Sequence, residues 1–212
     1  MRTVDPARHR ARRRHIIDAA TGLFAAKGLD RTTTAEICKA AGMSAGNLFH
    51  YFPDKRTIFL AVFEDDEGEA EESGGATKAE RLEAARSADD AFAALLDTVD
   101  LLAAPALEPL VPALVMEAMI QAYRDPELDE LLSRDNDEER STVTALLRNA
   151  SAAGQIDPAL DPDGTAAWVM ALIAGLYTSA ATDPSFDAAG QLPTLRLILE
   201  RFLRPAAAAP ER

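Results

Sequence analysis

Residues Thr33–Lys55, TTAEICKAAGMSAGNLFHYFPDK, decide how the rest of the chain is read. Thr33 and Glu36 stand three apart in the order of a capping box, where each side chain satisfies an amide left without a partner at a helix start. The spacing predicts a short helix with Ile37, Ala40 and Ala41 on its apolar face. Gly42 suits the left-handed backbone of a helix end, and Ser44 suits the N-cap of a second helix over Ala45–Tyr51. Leu48 and Phe52, four apart, face inward; Cys38 and Ala41 are small enough to let the two helices cross closely. So short a second helix is unstable alone and must pack on a neighbour. The object is a helix-turn-helix, and its outward side carries Ala45, Asn47, His50 and Tyr51, which suit base edges in a major groove.

Working outward, an earlier helix places Ile16, Ala20, Leu23, Phe24 and Lys27 at helical spacing, with Gly28 as its stop. It completes a three-helix core with Phe52 and Phe59. Pro53 breaks the second helix, and Asp54 caps a fourth that carries Ile58, Phe59, Val62 and Phe63. Lys55 falls in the first turn of that helix, where the dipole disfavours a cation, which points to an external anion. Residues 1–14, MRTVDPARHRARRR, hold six arginines and read as a mobile arm, suited to a phosphate backbone or a minor groove, or equally to plain solvation.

The chain has 212 residues, 48% hydrophobic, enough for a sizeable core. No apolar run of spanning length and no secretory signal is visible, so a cytoplasmic protein without a membrane partner is expected. One cysteine excludes an internal disulfide, and no spacing suggests a metal or another cofactor. The net charge of −13 is unevenly spread. Residues 1–56 hold eleven Lys or Arg against five Asp or Glu, a balance of +6; residues 57–212 hold eleven against thirty, a balance of −19. A basic head on an acidic body fits a DNA-binding domain joined to a different module, the body orienting the head toward DNA.

The fold class is all-α, with about nine helices and no strand pattern. Residues 64–77 are acidic and then glycine-rich, and read as a loop. A long helix is expected over 78–103, others over 110–123 and from Asp125-Pro126 to Gly154, then one after Asp161-Pro162 and a last over 191–203. The helix after Pro162 is distinctive, because every residue from Trp168 to Leu176 is apolar or glycine and no face is left for water. It must be covered on two sides, either inside one chain or against the same helix of a second subunit. No nucleophile motif, phosphate loop or metal cluster is present, so an enzyme is not expected, and the acidic pairs Asp65-Asp66 and Glu138-Glu139 read as solvated surface.

At the helix-turn-helix the chain resembles the TetR family of transcriptional regulators. The resemblance rests on Gly28, Thr32-Thr33, Ile37, Ala41-Gly42, Ser44, Gly46, Leu48-Phe49, Tyr51-Phe52 and Lys55, about the first quarter of the chain. Phe49, Asn47 and Ala45 depart from the more usual tyrosine, threonine and polar residue. The resemblance implies an N-terminal three-helix DNA-binding domain and a C-terminal helical bundle: a basic arm (1–14), a helix-turn-helix domain (15–56), a ligand-binding and dimerisation domain (57–204) and a tail (205–212). It implies DNA contacts from Thr33, Thr34, Ser44, Ala45, Gly46, Asn47, His50, Tyr51 and Lys55, the last on a phosphate. A homodimer through the last two helices is implied, with Ala171, Ala174, Gly175, Leu176, Leu195, Ile198 and Phe202 at the interface. Two recognition helices would then meet a palindromic operator about 34–36 Å apart. Repression released by a small-molecule effector is the expected function. Phe92, Leu96, Met116, Met119, Ile120, Tyr123, Trp168 and Tyr177 are candidate pocket residues, each also suited to plain core, and Glu117 is a candidate polar contact or the partner of an arginine. Activation, or a constitutive architectural role in which the C-terminal domain only dimerises, fits the same residues.

Overall fold

The first helix, α1 (Pro6–Arg31), begins on a proline, whose fixed φ suits a first helical turn, and it buries Ile16, Ile17, Ala20 and Phe24. The computed structural model describes residues 6–64 and 75–204, and in it the arginine-rich segment is helical from Pro6 onward rather than a loose arm. The expected acidic loop falls largely outside the described residues, as do Asp65-Asp66 and the tail after residue 204. Gly28, at φ 79° and ψ 166°, breaks α1, but one further turn follows before Arg31.

Next come α2 (Thr34–Ala40), α3 (Ala45–Tyr51) and α4 (Lys55–Glu64). The Thr33–Glu36 capping box forms in both directions. Gly42, at φ 61°, closes α2: its amide reaches the Lys39 carbonyl (3.3 Å) and the Met43 amide reaches that of Cys38 (2.9 Å). Asp54 caps α4 by accepting from the Thr57 amide at 2.7 Å. Ile37, Cys38 and Ala41 form the buried stripe of this region, with the spacing of one helical face. Ala40 lies off that stripe and is exposed, against expectation. Leu48 and Phe52 hold α3 in place by joining Ile16, Phe24, Ile58 and Phe59 in one core, where the Phe24 and Phe59 rings meet edge to face at 5.1 Å. Each such burial contributes about 1.5–3 kcal/mol, which a seven-residue helix needs in order to persist.

Six further helices follow: α5 (Lys78–Arg86), α6 (Ala91–Ala103), α7 (Val111–Ala122), α8 (Pro126–Ala152), α9 (Pro162–Thr182) and α10 (Ala188–Leu203). The helix expected over 78–103 is two, because the Asp90 carboxylate accepts from the Ala93 amide (3.0 Å) and starts α6 afresh. The described residues therefore form ten α-helices and no strand. Gly154, at φ 68°, closes α8, and Asp161 caps α9 through the Gly164 amide at 2.7 Å.

The chain divides into two compact units. The first takes α1–α4 together with Ala113–Leu132, so most of α7 and the start of α8 belong to it. Its core is completed by Leu114, Ala118 and Leu128, which is why the division does not fall at the expected boundary after residue 56. The second unit takes the described residues up to Pro112 and from Ser133 onward. Its core interleaves Leu95 and Val99 of α6, Val143 and Leu147 of α8, Val169 and Ile173 of α9, and Leu199 and Leu203 of α10.

Candidate nucleic-acid interface

Ser44 Oγ accepts from the Asn47 amide at 3.3 Å and starts α3, whose inward side is Leu48. The opposite side leaves Ala45, Gly46, Asn47 and His50 exposed; Phe49 is 49% exposed and Tyr51 partly so. The Tyr51 ring lies between His9 (4.9 Å) and His50 (5.2 Å). Arg13 lies over the Phe52 ring at 4.3 Å, with its Nη1 donating to the Tyr51 carbonyl at 3.4 Å. His15 Nε2 stands 3.0 Å from the Ala41 carbonyl. These contacts lay the arginine-rich turns of α1 beside the recognition helix. Arg8, Arg10 and Arg12 are exposed there and form no ion pair among the described residues.

Thr34 is partly exposed, whereas the Thr33 hydroxyl is already engaged, donating to Glu36 Oε2 at 2.8 Å and accepting from the Glu36 amide at 3.3 Å. The ammonium of Lys27, then the amide and hydroxyl of Thr33, hold the Glu36 carboxyl down at about 2. Lys55, expected on a phosphate, is engaged within the chain. Its Nζ donates to the carbonyls of Leu29 (2.6 Å), Asp30 (3.0 Å) and Thr32 (2.9 Å). The partners found for it are neutral carbonyls at the C-terminal end of α1, where the helix dipole is negative, and all three ammonium donors are used there.

The expected effector residues divide between the units. In the first, Glu117 meets no arginine among the described residues: its Oε1 accepts from the Leu29 amide (2.7 Å) and from Gln121 Nε2 (2.9 Å). Met116 is partly buried, while Met119, Ile120 and Tyr123 (91% exposed) face outward, which removes them from plain core. In the second unit Leu96 is buried core, Phe92 and Tyr177 pack partly buried against that core, and Trp168 is 68% exposed. One polar group was missed. Glu139 is no solvated surface residue: burial pushes its carboxyl upward despite the Lys78 ammonium at 3.2 Å. Burial, with the nearby Glu139 charge, also raises the Tyr177 phenol, which donates to the Leu102 carbonyl at 2.9 Å. Spacing could have found Glu139, since it stands four, seven and eleven residues before Val143, Leu146 and Ala150 on one buried stripe.

Of the expected dimer residues, Ala171, Ala174 and Gly175 of α9 and Ile198 and Phe202 of α10 are exposed, as are Trp168 and Leu197. Leu176 (5% exposed) and Leu195 (7%) face the other way: Leu176 packs with Ala103 and Ala106, and Leu195 lies in the core of its own unit. The apolar run of α9 thus has an inner stripe through Ala166, Val169, Ile173 and Leu176 and an uncovered outer stripe of small residues and Trp168.

Residues 16–62 match the model of bacterial regulatory proteins of the tetR family, and residues 98–204 match that of the BetI-type transcriptional repressor, C-terminal. The HTH-type transcriptional repressor Rv1474c of Mycobacterium tuberculosis is 45% identical over 56 residues, which are 26% of this chain and only 30% of that protein. The HTH-type transcriptional regulator UidR of Escherichia coli is 25% identical over 164 residues, 77% of this chain and 79% of that one. A solved transcriptional regulator from Saccharomonospora viridis, in complex with choline, shares the fold with a TM-score of 0.73 at 21% identity, covering 90% of this chain and 96% of that one. Matched in its helix-turn-helix and again across its C-terminal half, the chain belongs to the TetR family of bacterial transcriptional regulators.

Proposed function

We propose that the chain acts in the cytoplasm as a homodimeric repressor, without catalytic activity, that leaves a two-fold symmetric operator when a small molecule binds its second unit. The observation that carries the reading is the outward side of α3, where Asn47 and His50 are exposed, together with Arg8, Arg10 and Arg12 of α1, which are exposed and form no ion pair among the described residues. In this reading α3 reads bases and the arginines neutralise flanking phosphates, which separates sequence readout from general attraction. The outer stripe of α9 and the exposed Ile198 and Phe202 of α10 form the two-fold contact, where small residues let helices approach closely. Phe92, Tyr177 and the desolvated Glu139 of the second unit are the groups offered to the effector. The test is selection of duplexes from a randomised pool by the full chain. A two-fold symmetric sequence with half-sites about 34–36 Å apart is expected; equal retention of all sequences refutes operator recognition.

A further inference from the structure

Tyr51 is the last residue of α3, and Pro53 forbids a further turn. A ring at the end of a seven-residue helix has no following turn to lean on, and left alone it would sample several rotamers. Here it is held from outside the helix as well as from within. His9 of α1 packs on it with ring centroids 4.9 Å apart and planes tilted by 43°, and His50 meets it edge to face at 5.2 Å. Arg13 stands four residues after His9 and therefore on the same face of α1. Its Nη1 donates to the Tyr51 carbonyl at 3.4 Å, one of the acceptors that a helix end leaves free, while its guanidinium covers the Phe52 ring at 4.3 Å. One turn of α1 thus holds both the ring and the backbone of a single residue of α3.

What this clamp leaves free is the polar tip. Tyr51 is only partly buried, and its hydroxyl forms no hydrogen bond with any described residue. α3 contains no lysine or arginine, and the ammonium of Lys55 is spent on the carbonyls of Leu29, Asp30 and Thr32. The side-chain donors that α3 itself offers a phosphate are therefore Asn47, His50 and Tyr51, and Tyr51 carries the one hydroxyl of that helix. A phenol donating to a phosphate oxygen makes a short, directional bond, and a ring already aimed along it has no ordering left to do on binding.

We infer that His9 is a positioning residue for operator binding: it holds the Tyr51 ring in the orientation in which the Tyr51 hydroxyl donates to a phosphate oxygen. The inference rests on the operator-binding reading above, and adds that the start of α1 acts through α3 as well as through its own arginines. A phosphate contact carries no base information, so His9 governs affinity and leaves base preference alone.

The experiment uses the full-length chain and the duplex that the wild type recovers from a randomised pool, with affinity read by fluorescence anisotropy across a salt series. Tyr51→Phe keeps the ring, removes the hydroxyl and is expected to weaken binding about tenfold. His9→Ala releases the ring and weakens binding about threefold to tenfold, with the slope of log affinity against log salt as in the wild type, because no ionic contact is lost. In the Tyr51→Phe background His9→Ala changes affinity by less than about twofold, since the hydroxyl it would have aimed is gone. His9→Phe keeps a ring against Tyr51 without a ring nitrogen and restores wild-type affinity. Should His9→Ala not fold, His9→Gln, which also lacks a ring, takes its place in the cycle. Wild-type affinity in His9→Ala, the same loss in both backgrounds, or His9→Phe as weak as His9→Ala overturns the inference. A slope shallower by about 0.9 in His9→Ala makes the imidazole itself the phosphate contact and overturns it too. A wild-type chain that selects no duplex overturns the operator reading beneath it.

Discussion

Replacing Lys55 with methionine keeps the aliphatic stem and removes three N–H donors from the end of α1. The Asp30 carbonyl is exposed and returns to water at little cost, whereas the Leu29 and Thr32 carbonyls are partly buried. A buried acceptor left without a donor costs about 1–3 kcal/mol. The Leu29 carbonyl keeps a long bond from the Thr32 amide (3.3 Å), so the loss totals about 2–4 kcal/mol. For a chain of this length that lowers the thermal midpoint by about 4–16 °C. Far-ultraviolet circular dichroism on the DNA-free protein reads the midpoint, and fluorescence anisotropy across a salt series reads the DNA contact. Lys55→Met should melt early and leave the slope of log affinity against log salt as in the wild type. An unchanged midpoint with a slope shallower by about 0.9 per lost contact would return Lys55 to the phosphate backbone and refute the capping argument.

Arg8→Ala and Arg12→Ala should each lower that slope by about 0.9 with no change in melting; a slope that stays put removes α1 from the DNA. Asn47→Ala and His50→Ala should shift base preference by about 1–3 kcal/mol at individual positions, as read by duplex selection, rather than weaken all duplexes alike. Ile198→Arg, on the exposed side of α10, should sediment as a folded monomer, whereas Leu176→Arg, which forces a charge into the chain's own core, should lose helical signal instead. The Glu36 carboxyl is held at about 2 against an ordinary 4.5, a depressed folded value, so its contribution is complete above about 4.5 and fades as pH falls toward about 2. The stability gap between wild type and Glu36→Gln in urea should close across that window, and a gap that ignores pH would sink the assignment.

The helix-turn-helix was legible because its determinants are local: the Thr33–Glu36 box, the Gly42 turn and the Ser44 and Asp54 caps each act within a few residues. Periodicity likewise located α6 through α10 and the core stripes of Leu95, Val99 and Leu199. What escaped was non-local. Lys55 looked misplaced because its partners lie 23 to 26 residues earlier in the sequence, at the end of another helix. Glu117 resembled a pocket residue because nothing in its own helix betrays a bond to Leu29. The side of α9 facing its own unit could not be told from the other in a run without polar residues, so Leu176 was placed outward when it faces Ala103 and Ala106. The break between α5 and α6 was lost in an alanine-rich stretch whose one marker was Asp90.

The glycine at 28 has a consequence for substitution. Its backbone lies where side-chain-bearing residues are strained, and a methyl added there would stand 2.9 Å from Glu117 Oε2 and 3.0 Å from Oε1. Any side chain at 28 is thus strained by the backbone whatever stands at 117, and it would in addition push the Glu117 carboxylate aside from the Leu29 amide it accepts from.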